Sequence, residues 1–362
     1  MKILLTTIVD NINYGTYLQA YATVKLLEEY GHEVTVLNYI RHHLTFRGIV
    51  YDKRSKNLKN TITSALMGCL NACMRWNLKR FLCSRVCVTS SFTDIKRIAG
   101  RLEKYDLYMT GSDQVWNTKH NHGVDRNYFF GGIKGKKCSY AASIGLDSFP
   151  KEVQEEVRML LNDYSMISVR ESFGVDALKQ LGIENAYQVL DPTLMFGVDF
   201  WRKETKKKLS VCEPYLLVYS VEVNRDKETL DIARRIAVEK GLKIYLISPY
   251  VKFNSRLKVD RLFSMADTET FLTLFQNASY AVVSSFHGTA FAINFNIPFV
   301  TVSPDKFSSR VKSILKLVNL ENRYIKSIDD IPRDEIDFKL VNSVIERERK
   351  NSRKILTELL NI

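Results

Sequence analysis

The sequence lacks the features that mark membrane-spanning, secreted and metal-binding proteins. No run reaches the roughly 18 to 20 apolar residues that cross a bilayer. The opening MKILLTTIV has no signal-peptide cleavage pattern and is typical of a first strand. The six cysteines show no CxxC spacing, which favours free thiols over a metal site or a disulfide framework. These absences predict a cytoplasmic protein.

Positive charge is concentrated in one part of the chain. The whole sequence has a net charge of +13, and residues 41–101 contain thirteen Lys or Arg against two Asp, a net charge of +11. The same segment contains residues 62–82, which are largely apolar and end in Trp76, Lys79 and Arg80. Such a helix can lie in the headgroup region of an anionic membrane, or it can be buried in the first domain with a solvated basic rim. Nucleic acid is not a predicted partner, because no helix-turn-helix, zinc or RNA-binding pattern accompanies the charge.

The length and the alternation of predicted elements indicate two α/β domains. At 362 residues the chain exceeds one typical core. It begins with a strand, a turn at Asn13, Tyr14 and Gly15, a helix and a second strand, and this βαβ start predicts a parallel sheet. We expect an N-terminal Rossmann-like domain over residues 1–200, with the basic and apolar insertion at about 41–101. A second such domain covers 213–362 and includes charged terminal helices.

Polar or glycine-bearing turns follow four predicted strands of the first domain. They begin at Gly111, Ser143, Arg170 and Asp191. The carboxyl ends of parallel strands share one edge of a sheet, where ligands of open α/β sheets bind. Each turn taken alone could be structural, but their repetition predicts a site in the cleft between the domains.

The stretch 280–300 of the second domain, YAVVSSFHGTAFAINFNIPFV, is typical of a strand, a sharp turn and a helix. His287 falls at the start of that helix. The first turn of a helix has unpaired N–H groups and the positive end of the helix dipole, so an imidazole there lies beside an anion site. The alternative is that His287 only caps the turn.

Six motifs in order resemble the polysaccharide pyruvyl transferase family. They are NYGTYLQAYA, GSDQVWN, SYAASIG, SVRES, LDPTL and SSFHGTAFAINFNIPFV, and they span about residues 10 to 320. The resemblance implies an α/β fold of the GT-B type, with two doubly wound domains and an intervening cleft. It also implies transfer of the enolpyruvyl group of phosphoenolpyruvate to two hydroxyls of one sugar, which forms a cyclic pyruvate ketal.

The resemblance also implies which residues bind the donor. In the family an Arg-Leu-His triplet and an Arg of the first domain are thought to hold phosphoenolpyruvate. The His corresponds to His287, the Leu to Phe286 and the first-domain Arg to Arg170. The triplet's Arg corresponds to Ser285, a departure from the family pattern, and we expect Arg310 to supply the missing charge. The predicted donor site is completed by the next two helix residues, Gly288 and Thr289.

The chemistry assigns roles to the remaining candidates. His287 is the predicted acid that protonates the methylene carbon of phosphoenolpyruvate, and Asp113 is the predicted carboxylate that accepts hydroxyl protons. Ring stacking on the sugar is predicted for one residue, Trp116, with packing under its loop as the alternative. No step requires a metal or another cofactor. The predicted acceptor-binding residues are Asn13, Tyr14, Gly15, Asp113, Gln114 and Trp116.

The acceptor is expected to be a sugar, with galactose as one candidate, in a capsular or other surface polysaccharide or its polyprenyl-pyrophosphate-linked precursor. Such a precursor would bring the protein to the inner face of an anionic membrane as a peripheral protein. Two other functions stay open at this point. One is a GT-B glycosyltransferase that uses a nucleotide sugar, and the other is a non-catalytic protein that binds anions or membranes.

Overall fold

The protein contains two parallel β-sheets that are flanked by helices. The computed structural model describes residues 1–45, 58–102, 104–209, 213–221, 226–252, 254–303 and 308–361. The first sheet contains β1 (Lys2–Thr6), β2 (Glu33–Val36), β3 (Cys87–Val88), β4 (Leu107–Thr110), β5 (Lys137–Ala142), β6 (Tyr164–Val169) and β7 (Ala186–Gln188). The second contains β8 (Tyr215–Tyr219), β9 (Lys243–Ser248), β10 (Arg261–Ser264), β11 (Tyr280–Val283), β12 (Phe299–Val302) and β13 (Tyr324–Ile325).

Helices connect these strands and cover the sheets. They are α1 (Tyr14–Glu29), α2 (Leu58–Cys83), α3 (Ala99–Leu102), α4 (Lys151–Leu161), α5 (Ser172–Lys179), α6 (Val198–Glu204), α7 (Asp226–Lys240), α8 (Asn254–Leu257), α9 (Thr268–Asn277), α10 (Phe286–Asn294), α11 (Ser309–Leu317) and α12 (Phe338–Leu360). All residues of β5, β8, β11 and β12 are buried. Burial of whole strands is typical of a parallel sheet that has helices on both faces, so the sequence prediction of an α/β fold is confirmed.

The strand order places a crevice in each domain. The first sheet has the order β3-β2-β1-β4-β5-β6-β7 and the second has the order β10-β9-β8-β11-β12-β13. In each sheet the order reverses between two neighbouring strands, β1 and β4 in the first domain and β8 and β11 in the second. The loops after these strands diverge at the reversal and leave a crevice at the carboxyl edge. Both candidate turns, Gly111–Asn117 and Ser284–His287, lie at such a crevice.

The C-terminal helix changes the predicted division into domains. α12 was expected to belong to the second domain, but its side chains bond to the first. Arg349 Nε donates to the carbonyl of Leu194 at 2.6 Å. Ser352 Oγ accepts from the amide of Leu190 at 2.9 Å, and Arg353 pairs with Glu29 at 2.9 Å. The helix therefore bonds to the first domain as well as to the second, where Arg349 donates to Asn294 Oδ1 at 3.1 Å.

The apolar helix of the basic segment extends over residues 58–83, longer than the predicted 62–82. The predicted insertion also includes residues 46–57, which lie outside the described residues, as do the side chains of 58–67. Met74 and Leu78 are buried in the domain, whereas Trp76 is 67% exposed. Within the described residues no helix is long and apolar enough to cross a membrane.

Candidate functional site

Two helix N-termini meet where the domains face each other. α1 begins after Asn13, whose side chain accepts from the amide of Gly15, and α10 begins after Ser285, whose side chain accepts from the amide of Gly288. His287, in the first turn of α10, lies against Gly15, because a Cβ built on Gly15 would be 2.0 Å from His287 Cγ. The predicted position of His287 at a helix start is thus confirmed, and its ring points into the domain boundary rather than capping the turn.

Asp113 lies at the crevice of the first domain. Its backbone has φ 69°, a left-handed conformation that Asp tolerates better than most residues. Its carboxylate accepts from Thr16 Oγ1 of α1 at 2.9 Å and from the amide of Gln114 at 2.9 Å. Burial disfavours its charge, but the positive charge of Arg170, with smaller effects of neighbouring groups, lowers its pKa to about 2. Asp113 is therefore ionised at neutral pH, which is the form that can accept a proton.

Arg170 is buried among carboxylates. Its Nε donates to Glu171 at 2.9 Å and one amino group donates to Asp191 at 2.9 Å. The other amino group lies 3.8 Å from Asp113 Oδ1, too far for a hydrogen bond. The guanidinium stacks 4.4 Å from the centre of the Phe286 ring across the domain boundary. Nε and one amino group of Arg170 are thus already bonded to protein carboxylates, and only its other amino group is left for a ligand in this arrangement.

Asp191, whose turn the sequence analysis placed at the predicted site without assigning it a role, lies between Arg170 and His287. Its Oδ2 accepts from Ser112 Oγ at 2.9 Å and lies 3.9 Å from His287 Nε2. Its Oδ1 accepts from the amide of Thr193 at 3.0 Å. Burial opposes its ionisation, but His287 and Arg170 outweigh that effect and lower its pKa. The motif LDPTL marks this position in the sequence, but an Asp-Pro pair is also common in turns that have no function.

Three buried polar atoms of this cluster have no hydrogen-bond partner among the described residues. They are one amino nitrogen of Arg170, Nε2 of His287 and Oε2 of Glu171. Native proteins seldom leave buried polar groups unpaired unless a water or ligand satisfies them. A cavity lined in part by Arg170, Asp191 and Phe286 borders the cluster. The unpaired atoms mark the place where a ligand would bind.

His287 is neutral in this environment. Burial lowers its pKa to about 4, against the opposing effects of Asp191 and Asp113. An imidazole that is neutral at pH 7 can act as an acid only after a nearby negative charge favours its protonation. Asp191 supplies part of that charge, and an anionic substrate would supply more.

Arg310 lies in the first turn of α11 and interacts electrostatically with the charged residues described above. Burial and then the charge of Arg170 lower its pKa to about 10, while Asp113, Glu171 and Asp191 act in the opposite direction. The assignment of Arg310 to the donor site stays a prediction, and this mutual electrostatic influence is consistent with it. The loop before it, residues 304–307, lies outside the described residues.

The position of the missing family Arg is a helix cap. Ser285 Oγ accepts from the amide of Gly288 at 3.0 Å, and its carbonyl accepts from Thr289 Oγ1 at 3.0 Å. Ser285 and Thr289 therefore build the first turn of α10 and have a structural role here. Gly288 packs against Val283 and Tyr219, since a Cβ would lie 2.9 Å from Val283 Cβ.

Two predicted acceptor residues have buried side chains. Trp116 is 1% exposed, and its ring stacks on Phe129 at 5.6 Å in a core cluster, so it offers no face to a sugar and the packing alternative holds. Tyr14 is fully buried between the domains, where it stacks on Phe271 at 4.7 Å and donates to the carbonyl of Ala266 at 3.1 Å. The acceptor contact of Tyr14 stays a prediction, because its side chain is covered by the second domain in this arrangement.

The other predicted acceptor residues lie at the cleft. Asn13 is partly exposed and accepts from Tyr219 of the second domain at 3.3 Å. Gln114 is buried and its amide oxygen accepts from Asn117 at 2.7 Å. Within the described residues no group of three or more His, Cys, Asp or Glu side chains is placed to hold a metal ion.

A sequence profile described as polysaccharide pyruvyl transferase matches residues 13–306, most of the chain. The chain therefore belongs to the polysaccharide pyruvyl transferase family and is a transferase. A search of curated proteins gave no match.

Among solved structures, a UDP-N-acetylglucosamine 2-epimerase is similar with a TM-score of 0.55 and 13% identity over 99% of this chain and 95% of that one. The epimerase of Methanocaldococcus jannaschii has a TM-score of 0.52 and 12% identity over 95% and 91%. At this identity the likeness shows the fold alone, which is GT-B.

Proposed function

We propose that the protein transfers the enolpyruvyl group of phosphoenolpyruvate to two hydroxyls of a sugar and forms a pyruvate ketal. The observation that supports this most directly concerns two atoms of one buried cluster, an amino nitrogen of Arg170 and Nε2 of His287. Neither has a hydrogen-bond partner among the described residues. They come from opposite domains, and Asp191 Oδ2 lies near both residues, 2.9 Å from the other amino nitrogen of Arg170 and 3.9 Å from His287 Nε2. This chemistry requires a positive group that binds the anionic donor and an acid that protonates it.

The donor carries a carboxylate and a phosphate. Arg170 and Arg310 would neutralise these groups, and the N-termini of α1 and α10 would add backbone donors. The phosphoenolpyruvate charge would raise the pKa of His287, so that donor binding itself produces the acid. In this proposal the reaction uses neither a metal nor a cofactor.

The proposed transfer forms two carbon–oxygen bonds and breaks one. A proton from His287 adds to the methylene carbon, and the oxygen of one sugar hydroxyl bonds to the adjacent carbon while its proton passes to Asp113. The bond from that carbon to the phosphate oxygen then breaks, and inorganic phosphate leaves. The second hydroxyl of the same sugar bonds to the same carbon, its proton is released, and the ketal closes.

Access to the site requires the domains to separate. Asp113, Arg170 and His287 are each no more than 5% exposed, so the donor cannot reach them in this arrangement. Rigid-body opening of two domains around a cleft is a common way to admit and then enclose a substrate. The present arrangement corresponds to the enclosed state.

The acceptor in this proposal is a galactose-bearing surface polysaccharide, capsular or exopolysaccharide, or its polyprenyl-pyrophosphate-linked precursor at the cytoplasmic face of the membrane. The support is the outer side of α2. Among the side chains of α2 that the structure describes, the exposed ones fall on one stripe, Cys69, Ala72, Cys73, Trp76, Arg80 and Cys83. A largely apolar stripe that includes Trp and Arg has the composition of an interfacial helix.

The test is phosphate release from phosphoenolpyruvate with purified protein and a galactose-bearing acceptor, either lipid-linked or an aryl galactoside. A ketal product and phosphate in equal amounts are expected. Release of a nucleotide from a sugar nucleotide instead would contradict the proposal and identify a glycosyltransferase. Absence of turnover with every donor would contradict it in favour of a binding protein.

A further inference from the structure

Glu171 is a fully buried carboxylate that has no role in the reaction proposed above. It lies between β6 and α5 and is 0% exposed. Its Oε1 accepts from Ser143 Oγ at 2.6 Å and from Arg170 Nε at 2.9 Å. Its Oε2 accepts from no donor among the described residues. The protein therefore holds one oxygen of this carboxylate in place and leaves the other for a ligand.

The other two carboxylates of the site have no unpaired oxygen. Asp113 accepts from Thr16 at one oxygen and from the amide of Gln114 at the other. Both oxygens of Asp191 also accept hydrogen bonds, as described above. A buried polar atom without a partner is costly, and more so when it is charged. A hydroxyl group that enters the site would therefore gain most by donating to Glu171.

Ser143 holds Glu171 beside Asp113. Its amide donates to the carbonyl of Asp113 at 3.0 Å, while its hydroxyl donates to Glu171. Both carboxylates also lie near one guanidinium, since Arg170 Nε is 2.9 Å from Glu171 and an amino nitrogen is 3.8 Å from Asp113. Glu171 also acts on the second domain, because burial lowers the pKa of Arg310 and the charge of Glu171 opposes that effect. The two carboxylates are therefore neighbours at the domain boundary.

The proposed reaction needs two proton acceptors. A ketal uses two hydroxyls of one sugar, and each hydroxyl loses its proton. Asp113 receives the first proton in the reaction proposed above, and the second has no assigned acceptor. A carboxylate that lies beside Asp113 and has an unpaired oxygen is suited to this second transfer.

We propose that Glu171 Oε2 is the base for the second hydroxyl. After phosphate has left, the central carbon is bonded to the first sugar oxygen and is cationic. The second hydroxyl oxygen bonds to this carbon, its O–H bond breaks, and the proton passes to Glu171 Oε2. The unpaired amino group of Arg170 would bind phosphoenolpyruvate next to this oxygen. The inference rests on the proposed function and adds a catalytic residue to it.

The variant Glu171→Gln removes the base and can keep its contacts. The amide oxygen can take the place of Oε1 and accept from Ser143 and Arg170, but the amide nitrogen at the place of Oε2 cannot accept a proton. Ser143→Ala is the matched control, because it removes a donor to Oε1 and leaves the basic oxygen. Glu184→Gln controls for the change of charge at an exposed position of the same domain.

The experiment measures phosphate, ketal and pyruvate in the same reaction, with phosphoenolpyruvate and an aryl galactoside. The wild type should form one ketal for each phosphate. In Glu171→Gln, water should take the place of the second hydroxyl, and the resulting hemiketal should break down to pyruvate and unchanged sugar. The ketal formed for each phosphate should fall at least about tenfold, as for the loss of a general base. Ser143→Ala and Glu184→Gln should still form one ketal for each phosphate.

A purely structural role of Glu171 gives a different result. Glu171→Gln would then lower phosphate and ketal in equal proportion without releasing pyruvate, and this outcome would overturn the inference. Circular dichroism shows whether the variant folds. If it does not, Glu171→Asp keeps the carboxylate and withdraws it by one methylene group. The ketal formed for each phosphate should then fall in Glu171→Asp, and equal amounts of the two products would overturn the inference.

The outcomes also distinguish this inference from the proposed function. Equal amounts of ketal and phosphate from both the wild type and Glu171→Gln would contradict the role of Glu171 and leave the pyruvyl transfer intact. Absence of phosphate and ketal with the wild type would contradict the proposed function, and the inference would fall with it. Ketal from the wild type together with pyruvate from Glu171→Gln would support both.

Discussion

His287 of the second domain and Gly15 of the first touch without a side chain between them. A Cβ on Gly15 would lie 2.0 Å from Cγ and 2.1 Å from Nδ1 of the imidazole, well inside van der Waals contact. Residue 15 must therefore be glycine for the ring to occupy this position. The contact joins the first turn of α1 to the first turn of α10, so the place of the predicted acid depends on how the two domains meet.

The first prediction is that Gly15→Ala reduces turnover without unfolding the protein. In a helix, Ala in place of Gly ordinarily stabilises by about 0.5 to 1 kcal/mol, but here the methyl group must displace His287. Loss of a correctly placed acid should lower kcat on the order of 100-fold. Circular dichroism and the phosphate-release assay would measure the two effects. Gly100→Ala is the control, because a Cβ there meets nothing within 4 Å, and equal kcat in both variants would contradict the prediction.

The second prediction concerns pH. The pKa of His287 is about 4 in the folded protein and about 6.5 in an unfolded chain. Between these values the unfolded chain binds a proton that the folded chain does not. The free energy of unfolding should therefore fall as pH decreases from about 6.5 toward 4, and His287 should contribute on the order of 1 to 2 kcal/mol of that fall by pH 5.

Urea denaturation of the wild type and His287→Gln at pH 7 and pH 5 measures this contribution. The variant should lose less stability on acidification than the wild type. Parallel losses in the two proteins would show that His287 is not buried in its neutral form.

The fold was predictable because its signals are local. Apolar runs such as β8 and β11 are bounded by turns, and their alternation with helices indicated two parallel sheets. The position of His287 was predictable for the same reason, because residues 280–300 contain the local signals of a strand, a sharp turn and a helix. The return of α12 was not predictable, because the bond from Arg349 to the carbonyl of Leu194 joins residues 155 positions apart.

For some site residues the sequence allows two interpretations, and only the structure distinguishes between them. Asp191 precedes proline, a common turn sequence, and its contact with His287 depends on the approach of the second domain. Trp116 lies in a motif of the cleft but points into the core beside Phe129. Asp10 and Arg41 form a buried ion pair at 2.9 Å that no motif announces, because they follow different strands and become neighbours only when β1 and β2 pair.

The third prediction is that Arg170→Lys impairs both donor binding and stability. Lys keeps the charge but cannot reproduce the fork that contacts Asp191 and Glu171. Breaking one partner of a buried ionic cluster typically costs about 3 to 5 kcal/mol, and the milder Lys variant should lose less than Arg170→Ala. The KM for phosphoenolpyruvate should rise at least tenfold. Arg158→Lys, at an exposed pair with Glu155, is the control and should leave both quantities unchanged.

The fourth prediction tests whether Arg310 replaces the Arg that the family has at Ser285. Arg310→Gln should raise the KM for phosphoenolpyruvate roughly tenfold or more, because a charge beside a buried anion is lost. The acceptor KM should change little. Lys316→Gln, an exposed residue of the same helix, controls for a general effect of charge. Equal KM values for phosphoenolpyruvate in Arg310→Gln and Lys316→Gln would remove Arg310 from the donor site.

The last prediction is that the outer side of α2 binds anionic membranes. Replacing Lys79 and Arg80 is a poor test, since Lys79 Nζ donates to Asn38 and its side chain is half-buried. Trp76 is 67% exposed and Arg80 lies on the same face of α2. The double variant Trp76→Ser, Arg80→Glu therefore changes the exposed side of the helix and preserves its buried side. Each cation near an anionic surface contributes about 1 kcal/mol, and the effect declines within a Debye length.

Wild-type protein should co-sediment with phosphatidylglycerol vesicles at low salt and dissociate as salt is raised, and the double variant should bind much more weakly. Lys316→Glu is the matched control for a change of charge on an exposed helix of the second domain. It should bind like the wild type if α2 is the contacting surface. Equal binding by wild type and double variant, or no binding by either, would contradict membrane docking and leave α2 as a packing helix with an exposed Trp76.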